Sequence, residues 1–238
     1  MREKLKDFVI QHLPEEECLK MITDADTRVM NKDIKLLYNK RDSILASLEG
    51  KTIKSTVLNI DIVNSTEQTK RLSDTQQAEY YQRFIESTSD LIQSYGGYVL
   101  KNVGDCVIGF FPSSGFIVEN HDSAVLCGLT MFDMLKVSLN PYFVQRRIPS
   151  IKCRISADFG STKVIRVKAN GGYSEIDLFG TAMNSVSKIL HWAKPNQMVI
   201  GDSLFWQLVD ADRVSFKILK RWDLRGKHSY PVYRVLRK

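Results

Sequence analysis

Two aspartates stand where the local sequence gives them no ordinary role. Asp61 lies inside the apolar run Thr56-Val57-Leu58-Asn59-Ile60-Asp61-Ile62-Val63, and acids are disfavoured in a strand of β-branched neighbours. Asp105 follows Gly104 at the hinge between two short apolar runs, 98–101 and 106–111. Taken singly, a Gly-Asp pair suits a turn, and a strand aspartate can cap a backbone group. Buried without a partner, either charge would be costly or would force protonation. Brought together on neighbouring strands, the two carboxylates repel unless a proton or a cation lies between them. With no Cys or His motif beside them, their oxygens select a hard ion, Mg²⁺ or Mn²⁺. Such ions take further ligands from substrate phosphates, which is the chemistry of two-metal phosphoryl and nucleotidyl transfer.

Elements able to hold these acids follow from periodicity and punctuation. The strand at 56–63 leads into Asn64-Ser65-Thr66-Glu67, residues suited to a helix entry. Ser73-Asp74 precedes a long amphipathic helix with Ala78, Tyr81, Phe84, Ile85, Leu91, Ile92 and Tyr95 on one face, closed by Gly96-Gly97. After the strand pair at 98–101 and 106–111 comes a helix over about 121–138, with Ala124, Val125, Leu129, Met131 and Leu135 as core positions. A strand at about 151–158 and a partner at 162–167 flank Phe159-Gly160-Ser161, which reads as a turn. An extended stretch from Tyr173 to Phe179, a helix from about Thr181 to Trp192, and strands near 198–200, 216–219 and 231–235 follow. This order predicts an α+β fold with a ferredoxin-like βαββαβ core and extra C-terminal strands. Residues 1 to about 50 read as a helical leader, broken by Pro14 and stopped at Gly50. The expected division is therefore a leader at 1–52 and a main domain at 53–238. The leader is too short to pack alone, so it is expected to rest on the main domain or on a second copy of the chain.

Composition narrows the function classes. A hydrophobic share of 43% and a charged share of 26% are those of a soluble globular chain, and no apolar run approaches the ~20 residues of a membrane helix. Cys18, Cys106, Cys127 and Cys153 are scattered, which predicts reduced thiols and a cytoplasmic location. The net charge of +7 is concentrated near the C-terminus, where Arg213, Lys217, Lys220, Arg221, Arg225, Lys227, Arg234, Arg237 and Lys238 face only Asp223. Such a surface attracts polyanions or steers a nucleoside triphosphate. No helix-turn-helix, zinc-finger or aromatic RNA-binding pattern accompanies it, so neither nucleic acid nor membrane is expected as a partner.

Three motifs, in order, carry a resemblance over about Ser55 to Val235: Asn59-Ile60-Asp61-Ile62-Val63-Asn64-Ser65-Thr66, Gly96-Gly97-Tyr98-Val99-Leu100-Lys101-Asn102-Val103-Gly104-Asp105, and Asp177-Leu178-Phe179-Gly180-Thr181-Ala182-Met183-Asn184-Ser185-Val186-Ser187-Lys188. The sequence resembles the class III nucleotidyl cyclases, the adenylate and guanylate cyclase homology domain. That resemblance implies two metal ions per site, held by Asp61, Asp105 and the backbone carbonyl of Ile62. It implies in-line attack of a substrate 3′-hydroxyl on the α-phosphorus, with pyrophosphate leaving. Lys101 and Asp177 match positions that read the adenine edge in adenylate cyclases, and Asn184 matches the residue that orients the ribose. Because the family joins these groups to the metals across a head-to-tail dimer, a homodimer with composite sites is implied.

One position departs from the pattern. Lys188 stands where most active members carry an arginine that stabilises the transition state, and lysine lacks the planar fork that grips phosphate. Arg225 and Lys227 are candidates to assist it. For the base, Lys101 with Asp177 puts ATP, and hence cyclic AMP, ahead by resemblance. The alternative is a pyrimidine cyclase making cyclic UMP or cyclic CMP, because a cyclase domain preceded only by a helical leader resembles those of bacterial anti-phage signalling. A catalytically silent, cyclase-like dimerisation module is the rival from another class, and retention of both aspartates argues against it.

Overall fold

The computed structural model describes residues 34–113, 120–168, 172, 174–208, 214–224 and 228–237. Helix α1 (Ile34–Leu48) belongs to the leader, and the leader residues before it lie outside the described set. The main domain then runs β1 (Thr52–Ile62), α2 (Ser65–Thr69), α3 (Asp74–Ser94), β2 (Tyr98–Val103), β3 (Cys106–Pro112) and α4 (Asn120–Met134). A π turn (Leu135–Leu139) joins α4 to α5 (Asn140–Gln145), and β4 (Cys153–Lys168), β5 (Ser174–Gly180) and α6 (Thr181–Ile189) follow. The chain closes with β6 (Gln197–Gly201), α7 (Asp202–Phe205), β7 (Val214–Leu224) and β8 (His228–Arg237).

The strands form one sheet in the order β2-β3-β1-β4-β6-β8-β7, with β5 paired to β4. Its first four strands are antiparallel neighbours with the order of a ferredoxin-like core, as expected. Among the described residues only the β4–β6 pairing is parallel, and α6 makes the crossover between those two strands.

Period-two alternation divides the sheet between two apolar layers. Leu58, Ile60 and Ile62 of β1 point with Val107 and Phe111 of β3 toward α3 and α4, where Phe84, Ile92, Ala124 and Met131 are fully buried. Val57, Ile108 and Phe110 point the other way and meet Leu45 of α1, Leu178 of β5, and Ala182 and Val186 of α6. The leader helix thus packs on the main domain, and Arg166 of β4 clamps Glu49 just beyond its end at 2.9 and 2.7 Å. Asp61 shares the second face, because it lies four residues from Val57 on the same strand.

Three expectations are corrected. Phe159-Gly160-Ser161 is no turn: β4 runs unbroken through it, because β1 pairs along the whole stretch from Ile62↔Cys153 to Thr52↔Lys163. Gly160 serves close approach instead, since a Cβ there would lie 2.6 Å from Thr181 Oγ1 and 3.2 Å from Ala182 N. On α3, which begins with a Ser73–Gln76 capping box, Ala78 is exposed while Tyr80 is fully buried and donates its hydroxyl to Gln68. The helix expected to stop near 138 continues through the π turn to Gln145. Among the described residues, Cys106, Cys127 and Cys153 are free thiols, and no helix is long and apolar enough to cross a membrane.

Candidate active site

β1 and β3 bring the two aspartates together. Asp61 pairs in register with Cys106, so Asp105 stands one residue away at the β2–β3 turn, where Gly104 supplies a φ of 62°. Its carbonyl accepts the N–H of Ile62 at 3.3 Å, which ties the turn to the end of β1. Burial drives the Asp61 carboxyl above the usual carboxylate range; a hydrogen bond from Arg154 opposes this, and the negative charge of Asp105 adds to it. Cys106, caught beside both acids and donating to Asn59 Oδ1, has its thiol pushed up to about 12, chiefly by burial.

Arg154 is the residue that the sequence reading missed. From the facing position on β4 it donates Nη2 to Asp61 Oδ2 at 2.5 Å. One guanidinium therefore neutralises one of two adjacent carboxylates. The remaining negative charge and the all-oxygen donor set fit a hard divalent ion. Among the described residues no group of three or more His, Cys, Asp and Glu side chains could hold a metal. An ion here would need Asp61, Asp105, a main-chain carbonyl such as that of Ile62, and oxygens brought by the substrate.

Lys101 and Asp177 also meet, as a partly buried ion pair between β2 and β5. A bulge in β2 between Val99 and Lys101 sets the register of Lys101, and bulges commonly re-aim a side chain in this way. The bulge residue, Leu100, has its carbonyl bonded by Arg41 Nη1 of the leader helix at 2.7 Å. Asp177 Oδ1 accepts the N–H of Leu178 at 2.8 Å, so this carboxylate is held from two sides. Neither the bulge nor the leader's role in bracing it has a sequence signature.

Asn184 and Lys188 lie one turn apart on α6 and line a cleft of about 600 Å³ shared with Lys54, Phe159, Thr181 and Trp206. Neither aspartate lines it. Lys54 is seven residues from Asp61 along β1, roughly 23 Å at ~3.3 Å per residue. Within one chain the two aspartates and this cleft are thus formed by different residues. Arg225 and Lys227 lie outside the described residues.

Behind the cleft sits Asp158, 1% exposed. Burial raises its carboxyl to about 6; opposing this are hydrogen bonds from Tyr230, from the N–H groups of Phe159 and Leu204, and from Ser185. Between about pH 4 and about pH 6 the native chain keeps a proton that the unfolded chain has released, so this group lowers stability as pH rises through that window. Thermal melts across the window should show the Asp158→Asn variant gaining on the parent as pH rises. Parallel curves would contradict that reading.

Comparison with known proteins bears on this geometry. Residues 49–237 match the family model described as adenylate and guanylate cyclase catalytic domain. A cytidylate cyclase of Escherichia coli is 24% identical over 158 residues, covering 63% of this chain and 34% of that protein. A uridylate cyclase of Burkholderia cepacia is 24% identical over 198 residues, covering 81% of this chain and 84% of that one. The chain thus spans about a third of the length of the first relative and most of the second. Among solved structures, the adenylyl cyclase CyaB from P. aeruginosa superposes with a TM-score of 0.71 at 21% identity, over 79% of this chain and 96% of its own.

Proposed function

The chain belongs to the family of adenylate and guanylate cyclase catalytic domains, and on that premise we propose that it cyclises a pyrimidine nucleoside triphosphate to the 3′,5′-cyclic monophosphate and pyrophosphate. The observation carrying the chemistry is the closeness of Asp61 and Asp105 at one end of β1, with Arg154 on the facing strand. When bound there, Mg²⁺ or Mn²⁺ supplies the Lewis acid that makes the substrate 3′-hydroxyl a nucleophile and neutralises the polyphosphate. Asp61 and Asp105 would hold the ions, with the Ile62 carbonyl as a further ligand. Arg154, whose guanidinium lies beside Asp61, would offer its fork to a phosphate there. Asn184 orients the ribose, and Lys188 meets the charge that develops on the α-phosphoryl group. In the arrangement proposed, two copies packed head to tail complete each site, one giving Asp61 and Asp105 and the other Asn184 and Lys188.

For the base, the similarity to relatives named cytidylate and uridylate cyclase supports a pyrimidine over the ATP expected from Lys101 and Asp177. The ion pair itself accommodates that change. Adenine and cytosine both present an exocyclic amine beside a ring-nitrogen acceptor, so a carboxylate and an ammonium read either edge alike. CTP is therefore the expected substrate, with UTP next. Incubation of the purified chain with Mn²⁺ and each of the four nucleoside triphosphates separately, with the product identified by mass, tests this. Preferential turnover of CTP or UTP supports the reading, preferential turnover of ATP restores the purine assignment, and no product from any of them refutes a cyclase.

A further inference from the structure

Three alternating residues of β4 turn toward α6. Ser156 donates its hydroxyl to the Val186 carbonyl at 2.8 Å, which sets the preceding residue, Ser185, beside Asp158, and Gly160 admits Thr181 and Ala182 at close range. Of the three, Asp158 reaches furthest. Its Oδ2 accepts the Tyr230 hydroxyl of β8 at 2.5 Å. Its Oδ1 accepts the N–H of Phe159 at 2.9 Å and that of Leu204 in α7 at 3.3 Å. Tyr230 in turn accepts the N–H of Ser203 at 3.1 Å. The carboxylate has a purpose-made recess, because a Cβ on Gly201 would lie 2.4 Å from both its Cγ and Oδ2.

Three donors from three elements thus converge on one buried acid, and Ser185 of α6 stands beside it. Burying a carboxylate is expensive, and an apolar residue would fill such a position at lower cost. What the acid supplies is a fixed relation between β4, α6, α7 and β8. Ser185, its contact on α6, directly follows Asn184 and precedes Lys188 by three residues, so a shift of α6 at this point moves both cleft residues together.

We propose that Asp158 is a positioning residue for cyclisation: through Ser185 it fixes the orientation in which α6 presents Asn184 and Lys188 to the substrate. The inference rests on the reading of those two residues as the substrate half of a shared site. Misplacement of a reacting group by about 1 Å costs up to ~10²-fold in rate, which sets the scale of the effect.

A heterodimer separates this role from a merely structural one. Asp61→Ala on one chain and Asn184→Ala on the other leave one intact site, whose substrate half belongs to the Asp61→Ala chain. Adding Asp158→Asn to that chain should lower kcat about tenfold or more with little change in KM for the nucleotide. Adding it to the Asn184→Ala chain, whose own substrate half is already disabled, should alter the rate less than about twofold. Equal losses in both placements, or none in either, overturn the inference while leaving the cyclase reading intact. An inactive parental heterodimer overturns the shared-site reading and the inference with it. Should the Asp158→Asn chain fail to assemble, Tyr230→Phe, which removes only the hydroxyl, enters the same two placements with the same expectation.

Discussion

Replacing either Asp61 or Asp105 with alanine is expected to lower cyclic-nucleotide formation by about a thousandfold or more. Each carboxylate is half of the anionic donor set, and among the described residues no third acid stands by to replace it. Losing Lewis-acid stabilisation worth ~4 kcal/mol in the transition state corresponds to that factor, at about tenfold per 1.4 kcal/mol. Removal of Asp61 has a second effect, since Arg154 loses its partner and becomes a fixed positive charge where a cation should bind. The fold should survive. Asp61 is a partly buried acid whose desolvation opposes ionisation, so its deletion relieves a burial cost as well as breaking an ion pair, and Asp105 lies in the β2–β3 turn rather than in either apolar layer. Turnover with Mn²⁺, measured beside circular dichroism and sizing of the same preparations, checks both halves of the statement. Activity within tenfold of the parent in either folded variant would remove the two-metal account.

The nearness of these aspartates was legible in the sequence because Asp61 contradicts its context among β-branched residues, whereas Gly104-Asp105 marks the turn that closes the neighbouring hairpin. The order of the core elements was legible for a similar reason, since strand runs, the Ser73 cap and Gly96-Gly97 are local signals. What escaped depends on partners distant along the chain. Gly160 carries the same letter whether it turns a strand or makes room for α6, and only the packing of Thr181 against it distinguishes the two. Arg154 and Asp158 looked like ordinary positions on a strand. Their meaning comes from Asp61, 93 residues away, and from Tyr230, 72 residues away. Likewise the bulge at Leu100 follows from how β2 meets β3 and α1, which neither segment encodes alone. Tyr80 displaced Ala78 from the core face because a hydroxyl that finds Gln68 can be buried, and helical periodicity does not register such a partner.

The proposed division of the site between two copies gives the second large effect. Asn184→Ala should reduce turnover by about a hundredfold, since a misoriented ribose no longer holds its 3′-oxygen in line with the α-phosphorus. Asp61→Ala should be more severe still. In a symmetric pair each site draws one half from each copy, so the two lesions fall on the same site in one heterodimer arrangement and spare the other site entirely. Co-expressing the two variants under different tags and purifying the doubly tagged species isolates that heterodimer. Its turnover should return to about half that of the parental dimer, although each variant alone is near background. Persistent inactivity of a folded, doubly tagged heterodimer would contradict a site built from Asp61 and Asp105 of one copy and Asn184 and Lys188 of the other.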